Sequence, residues 1–179
     1  MELEQTIIED LKILHLKKLD DSRGSFTKIF NDDFFVANNL RTDFKESYFS
    51  VSHKDVIRGM HFQSPPAEHA KLVFVNTGSI VDAVLDIRTG SRTYGQYFYT
   101  TVSANQPKVI YIPVGCAHGF LSLEDNTIVS YIQTSVYNNS CDHGIRWDSF
   151  GMEWPVTDPI VSVRDMAFNG LDDIKSPFV

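Results

Sequence analysis

Lys71-Leu72-Val73-Phe74-Val75-Asn76-Thr77-Gly78-Ser79-Ile80-Val81-Asp82-Ala83-Val84-Leu85-Asp86-Ile87 places two apolar, β-branched runs on either side of a Thr77-Gly78 turn. Runs of this length, closed by turn residues, read as strands. The reading extends outward across Tyr48 to Tyr137, where aromatic and β-branched residues dominate. Strands are expected at 48–53, 71–76, 80–87, 96–102, 108–112 and 127–136, with turns at Thr89-Gly90-Ser91 and Glu124-Asp125-Asn126. Many short strands at this spacing predict an antiparallel sandwich or barrel, not alternating βαβ units. A helix is expected over 32–40, and one or two short helices in the tail past Trp154. No internal repeat, low-complexity tract or linker interrupts the chain, so residues 1–179 read as one domain.

Alternate residues of a strand face the same side. Val81, Ala83, Leu85 and Ile87 therefore form one apolar face, while Asp82 and Asp86 share the other. Lys71 shares a face with Val73 and Val75, and Tyr131 with Gln133, Ser135 and Tyr137. A barrel interior that displays Asp, Tyr, Gln and Lys suits a ligand cavity better than a filled core.

Composition excludes several classes. Hydrophobic residues make up 42% of the chain, inside the globular range and outside the disordered one. A formal net charge of -7 argues against a nucleic-acid-binding surface, although local Arg and Lys can still hold a small anion. No apolar run approaches the ~20 residues that span a bilayer. The acidic start Met1-Glu2-Leu3-Glu4 is unlike a signal peptide, and Cys116 and Cys141 have no metal or redox spacing. A cytoplasmic protein is expected.

Chemistry concentrates in Arg58-Gly59-Met60-His61-Phe62-Gln63 and Ile112-Pro113-Val114-Gly115-Cys116-Ala117-His118-Gly119-Phe120. Two histidines converging with Lys71 and Arg58 would suit proton transfer on an anionic substrate. Arg58 and His61 have opposite parity in a regular strand, so both can point inward only if Gly59 marks a bulge. Metal binding is the rival. Many jelly-roll enzymes use a close His-x-His pair, but here His61 is followed by Phe62-Gln63, and His69 comes after Glu68 in a Pro-rich turn. A site through His61 and His118 stays open on the residues alone.

These blocks, with Asp21-Ser22-Arg23-Gly24-x-Phe26, Ser50-x-Ser52, Lys71-Leu72-Val73, Gly78-x-Ile80-x-Asp82, Leu85-Asp86-Ile87-Arg88, Tyr94-Gly95, Tyr131, Tyr137, Gly144-Ile145-x-Trp147, Trp154-Pro155 and Ser162-x-Arg164-Asp165, stand in one order and spacing. On them the chain resembles the nucleotide-diphospho-4-keto-6-deoxyhexose 3,5-epimerases, the dTDP-4-dehydrorhamnose 3,5-epimerase family. The resemblance runs from about Asp21 to Asp165. It implies an all-β, cupin-type jelly-roll barrel with short peripheral helices. It also implies a homodimer that uses no metal and no cofactor and inverts carbons flanking a sugar's C4 ketone, in deoxysugar or surface-polysaccharide biosynthesis.

By that resemblance His61 is the base, oriented by Asp165, and Tyr131 returns a proton from the other face. Lys71 stabilises the enolate, and His118, backed by Asp82, lies against the sugar. Arg58 and Arg23, the latter reaching in from a neighbouring subunit, clamp the diphosphate. Phe26, Lys28, Glu46, Tyr48 and Tyr137 complete the substrate contacts.

The departures from the family concern nucleotide recognition. Its Arg-Gly-x-Phe-x-Glu ends here in Lys28, its Gln-x-Asn pair becomes Glu46 and Tyr48, and the aromatic beside the second tyrosine is Val136. A CDP- or GDP-linked sugar is therefore an expectation beside the dTDP one. A nucleotide-sugar ketoisomerase and a non-catalytic sugar-binding cupin are the other readings.

Overall fold

The two apolar runs around Gly78 fold as strands, but they enter different sheets, and the turn carries the chain from one to the other. The computed structural model describes residues 1–179. In chain order the elements are β1 (Glu2–Gln5), β2 (Lys12–His15), β3 (Lys18–Asp21), β4 (Gly24–Thr27), α1 (Asp32–Ala37), β5 (Glu46–Ser52), β6 (Val56–Gln63) and β7 (Lys71–Thr77). They continue with β8 (Ser79–Asp86), β9 (Tyr97–Ser103), β10 (Lys108–Ile112), β11 (Cys116–Ser122), β12 (Thr127–Gln133), β13 (Asp142–Gly144), β14 (Ile160–Val161) and α2 (Val163–Met166). One six-stranded sheet runs β1-β2-β10-β7-β12-β5, and the other main sheet runs β13-β6-β11-β8-β9 with β14 alongside β6. Gly78 crosses between them at φ +80, and a Cβ there would lie 2.4 Å from Thr127 Oγ1, so no larger residue fits this crossover.

The sheets are antiparallel apart from the β14–β6 pair. They face each other as a jelly-roll-type sandwich. They do not close into the expected barrel, because β1 and β5 remain edges of one sheet and β9 of the other. The N-terminal strands β1 to β4 were not foreseen, since each is only 4 residues long and mixes polar with apolar side chains. Nor were β6 and β11, whose glycines and histidines break the apolar run, or the short tail strands β13 and β14. The expected helix over 32–40 ends at Ala37, with Asn31 capping the Phe34 N–H at 2.9 Å.

Strand parity sorts the core into three layers. Val73, Val75, Ile80, Val84, Ile110, Phe120, Val129 and Tyr131 pack between the sheets. Ile57, Met60, Phe62, Val81, Ala83, Leu85 and Ile87 form the outer face of the second sheet, covered by the tail residues Phe150, Met152, Trp154 and Phe178. Leu14, Leu72, Phe74, Val109 and Tyr111 form the outer face of the first, covered by Phe35 of α1 and Leu40. The apolar face read from 81, 83, 85 and 87 is thus real, but it points away from the sandwich interior. Asp82 and Asp86 are the ones directed inward.

Candidate active site

The interior is apolar at one end and polar at the other, and the polar end opens as a cavity of about 420 Å³. Its wall is built around an irregularity in β6. Pairing with β11 matches Arg58 to Phe120 and His61 to His118, so β6 uses three steps where β11 uses two. The extra residue is a bulge at Gly59-Met60, and it turns Ile57, Met60 and Phe62 to the tail-covered face. His61 therefore faces the cavity. Close backbone approach makes the bulge feasible: a Cβ on Gly59 would stand 2.4 Å from Gly119 Cα, and one on Gly119 would stand 2.7 Å from Met60 Sδ.

The tail is registered along the free edge of β6. β13 pairs with its far end through Gly144↔His61, and β14 with its near end through Val161↔Ile57. Ser162 then caps α2 by accepting the Asp165 N–H at 3.0 Å. This register leaves Asp165 beside the bulge. Its Oδ2 accepts the Gly59 N–H at 3.2 Å, and its Oδ1 lies 2.8 Å from His61 Nε2. Burial by itself would raise the Asp165 carboxyl, but hydrogen bonds from His61 and Gly59 outweigh it and hold the group below the usual carboxylate range. An ionised Asp165 can only accept, so His61 Nε2 carries the proton and Nδ1 holds the lone pair. Phe168 packs edge-on to the imidazole at 5.9 Å.

Lys71 starts β7 on the inner face and is buried. Burial pushes its ammonium down to about 8, against the pull of Asp82 and Asp142. Deeper in, His118 Nε2 and Asp82 Oδ2 are 2.7 Å apart and both fully enclosed. Burial lowers the His118 imidazole, partly countered by Asp82. Tyr131 is also enclosed, its ring edge-on to His118 at 6.2 Å. Burial drives its hydroxyl well above the ordinary tyrosine value, so it stays protonated. Tyr48, itself partly exposed, stacks on Tyr131 at 4.7 Å and lines the cavity where Tyr131 does not.

The cavity is lined by His61, Lys71, Glu46, Tyr48 and Tyr137 among the expected residues. Glu46 Oε2 accepts from Gln133 Nε2 at 2.7 Å and from the Tyr137 N–H at 2.8 Å. Arg58 does not line it: the guanidinium bonds Ser52 Oγ at 3.0 Å and the Val51 carbonyl at 3.1 Å. Arg23, Phe26 and Lys28 are elsewhere, on or just after the β3–β4 hairpin, which joins neither large sheet. Arg23 is exposed and bound to Asp21 at 2.6 Å, while Phe26 and Lys28 border a separate surface cleft with Leu19. Asp86 is also apart from the cavity. Burial would raise it, but Arg88, Ser91 and Thr93 hold it down to about 2 and so brace the following loop.

Gln133 lines the cavity too, on the face that strand parity gave it with Tyr137, whereas sequence reasoning missed Phe62, Gln63, His69, Asp142 and Arg164. A signal existed for three of them. Gln63 has the parity of His61, His69 that of Lys71, and Arg164 adjoins Asp165. Arg164 pairs with Asp142 at 2.6 Å at the rim.

The sequence model of the family described as dTDP-4-dehydrorhamnose 3,5-epimerase matches residues 5–173. A protein of that name from Sinorhizobium fredii is 31% identical over 99% of this chain and 93% of its own length. Another, from Methanothermobacter thermautotrophicus, is 37% identical over 90% and 89%. The crystal structure of the dTDP-6-deoxy-D-glucose-3,5-epimerase from Legionella pneumophila, in complex with dTDP-4-keto-L-rhamnose, superposes with a TM-score of 0.92. It is 31% identical and covers 97% of this chain and 94% of its own.

Proposed function

Because the chain belongs to the dTDP-4-dehydrorhamnose 3,5-epimerase family, we propose that it epimerises C3, C5 or both of a nucleoside-diphospho-4-keto-6-deoxyhexose. The observation that carries this reading is the His61–Asp165 pair, 2.8 Å apart, at the wall of a cavity that also holds Lys71.

A C–H next to a ketone becomes acidic enough only when the charge that develops on the ketone oxygen is stabilised. His61 Nδ1 takes that proton while the C–H electron pair moves into the ring and on to the C4 oxygen. The Lys71 ammonium, little hydrated where it lies, stabilises the resulting enolate. Asp165 fixes the imidazole tautomer and balances the imidazolium. A proton then returns to the opposite face from the Tyr131 hydroxyl, and solvent exchange resets both groups. Since Tyr48 covers Tyr131 on the cavity side, its ring turns aside when the sugar enters.

The closed His118–Asp82 pair sits behind these groups and fixes the floor. Residues 1–179 act as one catalytic domain. No helix is long and apolar enough to cross a membrane, and both cysteines are free, which suits a reducing cytoplasmic setting.

The working unit in this reading is a homodimer. The β3–β4 hairpin exposes Leu19 and Phe26, and the outward side chains of edge strand β5, Phe49 and Val51, are at least half exposed. An isolated two-stranded hairpin is marginal, and a long apolar edge strand is normally covered. A second copy satisfies both, with the hairpin laid on the partner's β5 and delivering Arg23, Phe26 and Lys28 to the neighbouring cavity as the diphosphate and base contacts.

One observation favours a second substrate. Glu46 places a carboxylate at the end of the cavity lined by Tyr48 and Tyr137. A carboxylate accepts from amino-bearing bases, which supports a CDP- or GDP-linked sugar beside the dTDP one. Incubating the enzyme with dTDP-, CDP- and GDP-4-keto-6-deoxyglucose in heavy water, and reading deuterium at C3 and C5, tests both points. No deuterium from any of the three sugars would remove the epimerase assignment.

A further inference from the structure

The site as described uses only half of the Ser50-x-Ser52 pair. Ser52 Oγ accepts from the Arg58 guanidinium at 3.0 Å, whereas Ser50 Oγ is buried and makes no hydrogen bond within the chain. A buried hydroxyl without a partner destabilises a fold, so such groups are few and mark places with another task. Register shows what Ser50 can reach. β5 lies antiparallel to β12, with Tyr48 opposite Tyr131 and Ser50 opposite Val129. Val129 and Tyr131 both pack between the sheets, so Ser50 shares their face. It stands one diagonal step from Tyr131, a separation that an aromatic side chain spans. The phenol responds to it. Burial raises the Tyr131 hydroxyl, and the group that opposes burial most is the Ser50 hydroxyl, followed at a distance by the charge of Arg58. Tyr48 and Asp82 act in the same sense as burial.

We propose that Ser50 is a positioning residue for the proton-returning step, its hydroxyl held as a ready donor to the phenolate oxygen that Tyr131 is left with. That step rests on the epimerase reading; the Ser50–Tyr131 contact does not. When Tyr131 protonates the enolate carbon, its O–H bond breaks and the electron pair stays on the phenol oxygen. A neutral phenol can donate or accept, but a phenolate can only accept, and Ser50 still has its hydrogen to give. The donor is already desolvated and in place, so nothing has to reorient as the charge appears. Ser50 itself transfers no proton. Solvent restores the Tyr131 hydroxyl, and the serine is free again. A hydrogen bond that strengthens only as the phenolate forms lowers a barrier without tightening substrate binding.

Ser50→Ala deletes the donor and leaves Tyr131 in place. With dTDP-4-keto-6-deoxyglucose in heavy water, net inversion is expected to fall about tenfold to hundredfold, while deuterium wash-in through His61 stays within about threefold. Tm should be kept or raised, because the hydroxyl removed has no partner in the resting fold. Ser50→Thr retains a hydroxyl and should recover inversion. In a Tyr131→Phe background Ser50→Ala should cause no further loss, since the oxygen it serves is gone. Unchanged inversion in Ser50→Ala, equal loss of inversion and wash-in, or a full additional loss in the Tyr131→Phe background each overturn the proposal. Independently of turnover, 3,5-difluorotyrosine in place of Tyr131 ionises low enough to be followed by ¹⁹F NMR in the folded protein. Its ionisation should move to higher pH in Ser50→Ala, and an unmoved ionisation overturns the proposal as well. A wild-type enzyme inert toward the dTDP-, CDP- and GDP-linked sugars, with that ¹⁹F response present, would instead count against the epimerase reading alone.

Discussion

Asp165 binds His61 and the backbone of Gly59 with its two carboxylate oxygens, at 2.8 Å and 3.2 Å. The group that orients the imidazole thus also clamps the bulge that aims it. Both contacts need an acceptor, and an amide offers only one.

In Asp165→Asn an –NH₂ is forced against either His61 Nε2–H or the Gly59 N–H. A kcat loss of about 10²–10⁴ is expected, matched or exceeded by His61→Ala. Deuterium wash-in at the carbons flanking the ketone checks this, and near-normal exchange in His61→Ala would discard His61 as the base.

Lys71 sets the alkaline limit. Because its ammonium titrates at about 8, kcat/KM should fall as pH rises through that value. Arginine stays charged there, so Lys71→Arg should abolish this limb at a lower overall rate, and an unmoved limb would exclude Lys71 as its source. The linkage for stability has the opposite sense. The folded value is below the ordinary 10.5, so between about 8 and 10.5 the unfolded chain binds the extra proton and net stability rises with pH.

Tyr131→Phe removes the returning acid but leaves the His61 pair intact. Wash-in of solvent deuterium should persist within about tenfold while net inversion drops by about 10² or more. Equal loss of exchange and inversion would mean that Tyr131 does not act after proton removal.

Subunit exchange tests the hairpin. Neither Arg23→Ala nor His61→Ala should be active alone, but mixed dimers pair one intact His61 with the partner's intact Arg23 and should recover a fraction of wild-type activity. No recovery, or a monomer by light scattering, rejects the shared site.

Gly119→Ala would set a Cβ 2.7 Å from Met60 Sδ and 2.9 Å from the Arg58 carbonyl oxygen. The bulge must shift, at a cost of about 1–3 kcal/mol by overpacking, and His61 shifts with it. Chemical denaturation together with kcat measures both. A stable, fully active variant would show that the bulge tolerates expansion.

Local pattern made much of this legible. Alternation along 71–75 and 80–87 put Lys71 on a face with Val73 and Val75, and Asp82 with Asp86 opposite the apolar face of 81, 83, 85 and 87. The parity conflict between Arg58 and His61 called for an irregularity at Gly59 if both were to point inward, and the structure has one there. The motif resemblance named the dyad. It could not reveal that Arg58 turns to Ser52, or that Tyr48 lies over Tyr131.

What the sequence by itself determined is the strands β5, β7, β8, β9, β10 and β12, and the side of each on which a residue falls, because the backbone repeat of two is a local property. Only the tertiary structure decided which of those sides became an interior. It folded the strands on either side of Gly78 into different sheets, sent the 81–87 apolar face under the tail, and carried Asp165 across 104 positions to His61. Such meetings depend on the register of distant strands and on the burial that stabilises one packing over its competitors, and no short window of residues encodes either.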